Sequence, residues 1–362
     1  MHSSISNSEP PKWPETYWKR PIPEAHWRGV GLLTALLVLG FMIFWETYWR
    51  LEGYEPQLEE TAELWARLRG QAATGSADEV VYTGSSRIAF DFDQDVWQQY
   101  FGGPRPIALP KIGTNPRPFL ADMANDPGFR GLLIVGVTEG LFFSPDEAPP
   151  AGEARIYLEH RENRSISART DYLLSIPVQS AFASINKEDL SLAALIRSRW
   201  LDLPDRQGAY LMPDYPPFIG AIGPDRRIKM WHKCERDPEL QRKVQQIWMP
   251  WFQLGPPLGG PPLEAIFDSV RQDVEKIRSR GGEVVFLRLP STGELRKVEK
   301  ERWPRQVYWD RLLRETGAPG IHFEDYDGLK GFDCPEWSHL SRVDAVIYTR
   351  NLVPIMQAAL SR

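Results

Sequence analysis

The chain has 362 residues, of which 42% are hydrophobic and 25% are charged, and its formal net charge is −5. For most of its length this balance excludes a disordered, collagen-like or multi-span membrane protein, and the lack of a basic excess argues against a nucleic-acid binder. With only two cysteines, a disulfide scaffold and a four-thiolate zinc site are also excluded. The count of 14 tryptophans is unusually high, so their positions need an explanation.

An uncharged apolar segment lies near the N-terminus. Residues 29–45 read GVGLLTALLVLGFMIFW, and Trp27 and Trp45 stand at its ends. At about 1.5 Å per residue, this segment nearly crosses a hydrocarbon core of roughly 30 Å. One alternative is a cleaved signal peptide, but the segment before the apolar run is long and proline-rich, and no small-residue cleavage site follows it. The second alternative is a buried core helix. We predict a retained transmembrane helix over 27–49, with the lipid bilayer contacted by 29–45.

The charges on the two sides of this segment predict its orientation. Basic residues precede it, whereas the residues after it contain Arg50 among several glutamates. The positive-inside rule then places a cytoplasmic tail at 1–26 and the rest of the chain outside, which in a bacterium means a single-pass inner-membrane protein with a periplasmic domain. Pro56 is predicted to open a helix that ends before Gly70, so that 50–75 form a stalk helix and linker.

Strands and helices alternate beyond residue 76. Short apolar runs predict strands, and these are 80–83, 107–109, 132–137, 283–289 and 321–323. The helical patterns between and after them are 93–101, 118–124, 263–277 and a last helix, which Ser341 and Asp344 cap and which Pro354 is expected to kink or interrupt. This alternation predicts an α/β domain with a parallel sheet over 76–362. The pattern breaks at about 145–262, where we predict a large insertion of helices and loops.

A candidate nucleophile follows the first predicted strand. The strand ends in Gly84-Ser85-Ser86-Arg87, and sites in parallel α/β sheets form at the carboxyl ends of strands. Ser86 would lie in a tight turn with an exposed hydroxyl, as a nucleophile requires. The alternative is a turn serine that caps the following helix.

One histidine is well placed to act as a base. Of the six histidines, His339 comes after the last predicted strand, at the same end of the sheet as Ser86. His322, within a strand, is expected to be a buried histidine with its hydrogen bonds satisfied. Glu336 is three residues before His339 and is placed to orient the ring through Nδ1, with Asp333 as the alternative acid. No metal site is predicted, because no cluster has ligand spacing.

These motifs resemble the blocks of the SGNH (GDSL-like) hydrolase superfamily. Gly84-Ser85-Ser86 is similar to its first block, Gly-Asp-Ser, and Gly113 to its second-block glycine. Gly136-Val137-Thr138 stands where the family has Gly-x-Asn, and residues 336–340 resemble its Asp-x-x-His-Leu. The resemblance covers 76–145 and 263–362 and leaves out the insertion. It implies a three-layer, flavodoxin-like parallel sheet.

The resemblance also implies a serine acyl-transfer mechanism without a cofactor. Ser86 would be the nucleophile, His339 the base and Glu336 the acid that orients it. The N–H groups of Ser86 and Gly113 would bind the oxyanion, with the Thr138 hydroxyl or the Asn115 amide in place of the family's asparagine. Three departures keep a degenerate site open as an alternative: Ser85 replaces aspartate, the third-block asparagine is absent, and the acid is glutamate.

Membrane-anchored periplasmic members of this superfamily act in polysaccharide O-acylation. The resemblance therefore implies a serine esterase or O-acyltransferase that acts on acyl (acetyl) esters of an envelope glycan, with a membrane-bound O-acyltransferase as a partner. The alternative is a catalytically degenerate subunit that serves as an interaction or scaffold component of a membrane complex.

Two features of the insertion have open interpretations. Trp231, Trp248 and Trp251 form a partner interface, a sugar platform or local core. Cys234 and Cys334 are hypothesised to form a disulfide because the predicted compartment is oxidising, and two buried free thiols are the alternative.

Overall fold

The computed structural model describes residues 26–186, 190–196, 219–253 and 255–361. Except for His26, the predicted cytoplasmic tail lies outside the described residues. The chain divides into two compact units, Met1–Tyr48 and Trp49–Arg362.

Helix α1, Trp27–Leu51, contains the predicted membrane segment. It has 25 residues and a mean hydropathy of 1.9 over its most apolar window, none of which is buried. Within the described ranges, it is the one helix whose length and composition suit a membrane span. The prediction of an apolar helix long enough to cross a bilayer is confirmed, with an end two residues later than expected.

The segment after α1 belongs to the compact unit Trp49–Arg362, so the prediction of a stalk over 50–75 is wrong. Leu58 is buried and its N–H donates to the Ile222 carbonyl at 2.9 Å. Helix α2, Ala62–Arg69, begins later than expected because Thr61, and not Pro56, caps it. Trp65 on this helix is fully buried, so the apolar side assigned to a stalk is a core face.

A parallel sheet forms the centre of the larger unit. Its strands are β1 (Val80–Thr83), β2 (Ile107–Ala108), β3 (Leu132–Gly136), β6 (Glu283–Arg288) and β7 (Gly320–His322). In the described part of the chain the sheet has five strands in the order β2-β1-β3-β6-β7, with every pairing parallel. This is the doubly wound order 2-1-3-4-5. All five predicted strands are confirmed to within a residue or two.

Helices cover both faces of this sheet and fill the insertion. In chain order they are α3 (Ser86–Asp91), α4 (Gln94–Phe101), α5 (Arg117–Asn125), α6 (Glu139–Phe142), α7 (Pro149–Glu162), α8 (Ile166–Ala181), α9 (Leu192–Leu195), α10 (His232–Arg236), α11 (Pro238–Gln253), α12 (Gly260–Arg278), α13 (Gly293–Arg302), α14 (Trp309–Thr316) and α15 (Arg342–Leu360). Alternate residues of β3 and β6 point to opposite faces, so each face has its own core cluster. One cluster packs under α5, α12 and α14, and the other under α4 and α15.

The last helix begins as predicted but does not stop at its proline. The Ser341 hydroxyl accepts from the Asp344 N–H at 3.1 Å and donates to the Asp344 carboxylate at 2.8 Å. The helix continues through Pro354 to Leu360. Leu352 and Met356, on the two sides of the proline, are fully buried, so tertiary packing keeps the helix continuous despite the missing N–H.

Within 145–262, the predicted insertion, the described residues form helices α7–α11 and an antiparallel pair, β4 (Gly220–Ile222) and β5 (Ile228–Met230). It has its own hydrophobic cluster, which contains Trp231 and Cys234. Trp231 therefore belongs to the local core of the insertion, which was one of its three interpretations. Phe90 of α3 belongs to the same cluster, so the insertion packs against the helix that begins at Ser86.

His322 at the end of β7 is buried, and its ring nitrogen has a partner. Its Nδ1 accepts from the Glu324 N–H at 3.2 Å, and its ring packs against Trp309 and Phe323. Burial, followed by the positive charge of Arg288, lowers the pKa of His322 to about 3. The imidazole is therefore neutral at physiological pH, and its burial agrees with the buried histidine that the sequence predicts here.

This buried histidine makes folding stability fall in acid. Below the ordinary histidine pKa of about 6.5, the unfolded chain binds a proton at this histidine and the native state does not. The free energy of unfolding therefore falls by up to about 1.4 kcal/mol per pH unit until the native pKa is reached. His322→Asn keeps an acceptor near Nδ1, so we expect a shallower decline of unfolding free energy between pH 6.5 and 4.5. Melting curves of the full chain in nanodiscs at several pH values measure this slope. Equal slopes for wild type and His322→Asn, with the exposed His232→Asn as control, would contradict the assignment.

Candidate functional site

The turn between β1 and α3 is built by close packing against two glycines. A Cβ on Gly84, whose φ is +152°, would lie 2.5 Å from Ile88 Cγ2, and one on Gly136 would lie 2.8 Å from Ile88 Cβ. Helix α3 therefore sits directly on the ends of β1 and β3. Ser86 is its first residue, and Ser85 is the N-cap.

The two serines of the turn have different surroundings. Ser85 is buried, and its hydroxyl is 2.9 Å from that of Thr138, which follows β3. The Thr138 hydroxyl, predicted as an oxyanion donor, thus bridges two strand ends. Ser86 is only half-buried, so its hydroxyl is the more accessible of the two.

His339 and Glu336 form a buried pair. Glu336 Oε1 is 2.8 Å from His339 Nδ1 and also accepts from the His339 N–H at 2.6 Å. Glu336 is fully buried and His339 is 2% exposed. Because the carboxylate holds the proton on Nδ1, Nε2 is the acceptor nitrogen. This buried Nε2 has no hydrogen-bond partner in the described part of the chain.

The alternative acid lies elsewhere. Asp333 is exposed, and its carboxylate accepts from the Thr292 hydroxyl at 3.3 Å. The structure thus brings Glu336, and not Asp333, onto the ring of His339.

An unusual backbone conformation shapes the loop that carries this pair. Trp337 has φ +74°, a left-handed conformation that non-glycine residues rarely adopt. Its N–H donates to the Cys334 carbonyl at 2.9 Å, and its carbonyl accepts from the Thr292 N–H at 2.9 Å. The turn at Trp337 lets Glu336 and His339 meet, and such strained residues concentrate at functional sites.

Three contacts join α3 to the histidine loop. Arg87 Nε donates to the Ser338 hydroxyl at 3.3 Å, and the Phe90 and His339 rings have centroids 4.5 Å apart. The Leu340 N–H donates to Asp91 at 2.9 Å. These contacts place the segments of Ser86 and His339 side by side.

Ser86 and His339 themselves are not bonded. Among the described residues, no hydrogen bond joins Ser86 Oγ to His339 Nε2. Ser86 and Phe90 are four residues apart on α3 and so share a face, and His339 lies against Phe90. Catalytic hydrogen bonds are often long in free enzymes and tighten when substrate binds.

Asp91 adds a buried carboxyl group to this region. It is fully buried, and burial raises its pKa well above the usual range despite the Leu340 N–H and the positive charge of Arg87.

A residue that sequence reasoning did not connect to the site supplies a further hydrogen bond. Trp248 of α11 donates its Nε1–H to Glu336 Oε2 at 2.5 Å, and its ring meets His339 edge-on at 6.0 Å. Gln245, one turn earlier, donates to the Pro335 carbonyl at 3.0 Å. The insertion thus holds the acid of the pair. The sequence marked Trp248 only as part of an aromatic stretch, since no spacing relates residue 248 to residue 336.

Sequence reasoning also missed a buried charge network below the site. Arg87 pairs with Glu299, and Arg288 bonds Glu299 at 2.6 Å and Glu139 at 2.7 Å. Burial alone would raise the pKa of Glu299, but the two guanidinium groups outweigh it and hold the pKa at about 2. The available signal was Arg288, a charge at the end of an apolar strand.

Two of the predicted oxyanion donors, Gly113 and Asn115, differ in their surroundings. Gly113 is exposed with φ +66°, a conformation that favours glycine, and Lys111 in its loop donates its N–H to the Gly84 carbonyl at 3.0 Å. Its loop therefore lies beside the Ser86 turn. The Asn115 side chain instead bonds Ser144 at 3.2 Å and the Arg117 N–H at 2.9 Å, which fixes the start of α5.

The predicted disulfide is not formed. Cys234 and Cys334 are both buried free thiols. Cys334 belongs to the cluster under α15, whereas Cys234 belongs to the insertion cluster. Burial raises the pKa of Cys234 to about 12 and that of Cys334 well above its usual range.

Breaking the charge network should destabilise the fold. Glu299→Gln leaves two buried guanidinium groups with the single carboxylate of Glu139, so we expect the free energy of unfolding to fall by about 3–5 kcal/mol. Denaturation of the full chain in nanodiscs measures the loss. Glu301→Gln, an exposed change on the same helix, is the control and should alter stability by no more than about 0.5 kcal/mol. A Glu299→Gln protein as stable as this control would disprove the role of the network.

No protein-family model matches the chain, and no curated protein matches it. The function is therefore argued from the residues of the site and their geometry.

Proposed function

We propose that this chain is a membrane-anchored serine esterase or O-acyltransferase with an SGNH-like fold. The observation that carries the proposal is the buried His339–Glu336 pair, whose Nδ1 is held at 2.8 Å and whose Nε2 has no described partner. The pair packs against α3, the helix that Ser86 begins after the first strand of a 2-1-3-4-5 sheet.

The chemistry follows from these positions. Ser86 Oγ attacks the ester carbonyl and gives its proton to His339 Nε2, and the tetrahedral intermediate then expels the alcohol, which takes that proton. Water or a second hydroxyl then gives its proton to His339 Nε2 and attacks the acyl-serine. The second tetrahedral intermediate expels Ser86 Oγ, which takes that proton back from His339, and the acid or the new ester is released. Glu336 stabilises the imidazolium, and Trp248 keeps the carboxylate in place.

The oxyanion needs donors at the same turn. The N–H groups of Ser86 and Gly113 are the proposed pair, since the Gly113 loop is hydrogen-bonded to Gly84 through Lys111. One such donor contributes about 3 kcal/mol to the barrier reduction. Thr138 and Asn115 would have to exchange their present partners to take part.

The proposed substrate is an acyl ester, acetyl in the simplest case, of an envelope glycan. A domain tethered by α1 works at the membrane surface, in the proposed arrangement on the periplasmic side of a bacterial inner membrane. A membrane-bound O-acyltransferase would then supply or receive the acyl group. Water as acceptor gives an esterase and a sugar hydroxyl gives a transferase, both through the same acyl-serine.

A scaffold function is the second candidate. Two observations favour it: Ser86 and His339 are not hydrogen-bonded, and Thr138 and Asn115 bond other protein groups. A chain of this kind would use the insertion as a platform for a membrane complex and would not depend on the Ser86 hydroxyl.

The Ser86 hydroxyl separates the two candidates. In the full chain in nanodiscs, we expect a fluorophosphonate probe to label wild type and Ser85→Ala but not Ser86→Ala, because only Ser86 is half-exposed beside the histidine loop. Hydrolysis of an aryl acetate should fall to background in Ser86→Ala but persist in wild type and Ser85→Ala. Labelling that persists in Ser86→Ala, or a wild type that neither labels nor hydrolyses, would reject the enzyme and leave the scaffold.

The hydrogen bond from Trp248 should affect turnover more than binding. Trp248→Phe keeps the ring but removes a donor to a carboxylate, a bond of about 1.5–3 kcal/mol, so we expect kcat to fall by about tenfold or more with KM nearly unchanged. Gln245→Met is the matched control, because it removes a bond from the same helix to the same loop without touching Glu336. Equal effects of both variants would show that α11 only anchors the loop.

A further inference from the structure

Helix α8 presents an apolar stripe that is exposed in the described part of the chain. Its exposed side chains are large and aliphatic, with Ile166 83% and Leu174 69% exposed. The stripe, called here the α8 face, consists of Ile166, Leu173, Leu174 and Val178, and Phe182 and Ile185 continue it. A cluster of large exposed apolar residues on a soluble domain marks an interaction site.

The α8 face is the outer side of a helix whose other side is packed. Leu173 and Leu174 follow Ile166 by seven and eight residues, and Val178 follows Leu174 by four, which places all of them on one side. Tyr172, on the opposite side, is buried in the insertion cluster. Between Tyr172 and Asn186 the sequence has no charged residue, so this surface has no partner for an ion pair.

The C-terminal end of α8 is attached to the end of the membrane helix. Arg50, the residue before the last of α1, donates to the Ala181 carbonyl at 2.8 Å. Farther along the same segment, the Glu59 N–H donates to the Gln179 side chain at 2.9 Å. Two hydrogen bonds therefore join the chain that leaves α1 to the end of α8.

The length of α1 fixes where this junction lies. Its 25 residues span about 37 Å, more than the hydrocarbon core of about 30 Å and less than the full bilayer of about 40–45 Å. Arg50, at the end of a helix that crosses the bilayer, therefore lies in the headgroup region. The Ala181 carbonyl that it contacts lies there too.

We propose that the α8 face is a membrane-contact surface, whose occupant is the phospholipid bilayer that α1 spans. When an apolar helix side enters a bilayer interface, it lies at the boundary between headgroups and acyl chains, and the binding strength increases with the apolar area buried. The uncharged C-terminal half of α8 is the half joined to Arg50, as insertion at that end requires. The contact would hold the larger unit against the membrane, and it does not depend on the chemistry at Ser86.

The test uses the full chain in nanodiscs with an environment-sensitive fluorophore on an introduced cysteine. Labelled Leu174→Cys should have a blue-shifted emission and should be quenched at least about twofold by nitroxide-labelled phospholipid, since its label would lie among lipid groups. Val307→Cys, in the loop before α14, is the matched control, being 45% exposed and apolar, and should not be quenched. Both native thiols are buried, so the label is confined to the introduced site.

Two outcomes would overturn the proposal. A Leu174→Cys label as unquenched as the Val307→Cys label would show that the α8 face is in water. A label unquenched in pure-lipid nanodiscs but blue-shifted in native membranes would assign the face to a protein partner. Val178→Cys, one turn nearer to Arg50, gives a second reading if a label at residue 174 disturbs the helix.

Discussion

Two guanidinium groups, those of Arg87 and Arg288, are buried at the carboxyl end of the sheet, where water cannot solvate them. Glu299 pairs with both, and Glu139 makes a second pair with Arg288, so that two carboxylates balance the two guanidinium groups. These four side chains come from the first turn of α3, the end of β6, the start of α6 and helix α13. Since a lost partner would leave a bare charge in a region of low dielectric, the elements cannot move independently. The network therefore holds together the elements that carry the residues of the candidate site.

The candidate site is assembled from segments that are far apart in the chain. Contacts from Arg87, Phe90 and Asp91 hold the loop of His339 against α3, and the left-handed backbone of Trp337 turns Glu336 toward the ring. The insertion completes the arrangement through Trp248. In the proposed mechanism, the insertion thus supports the acid that orients His339, because a buried carboxylate oxygen needs a donor and Trp248 of α11 supplies it.

The membrane connects the proposed function with the proposed contact of the α8 face. In the proposed arrangement, α1 tethers the larger unit to the bilayer, and the α8 face, whose C-terminal end is hydrogen-bonded to Arg50, contacts the same bilayer. An enzyme that acts on envelope glycans, as proposed, would meet its acyl donor and acceptor at that surface. The tryptophans divide accordingly: Trp27 and Trp45 suit the membrane interface, Trp65 and Trp231 are core, and Trp248 belongs to the site.

The sequence by itself determined the local features: the apolar span, five strands, the insertion, the Ser341 cap and the pairing of His339 with Glu336 three residues away. Each depends on residues close together in the chain, where periodicity and spacing carry the information. It misjudged residues 50–75, because an amphipathic helix looks the same whether its apolar side meets a partner or its own core. Only the tertiary structure decided that Trp65 is buried, that Cys234 and Cys334 face different clusters, and that Trp248 reaches Glu336. Long-range contacts of this kind follow from how the layers pack, and a single sequence carries no spacing that records them.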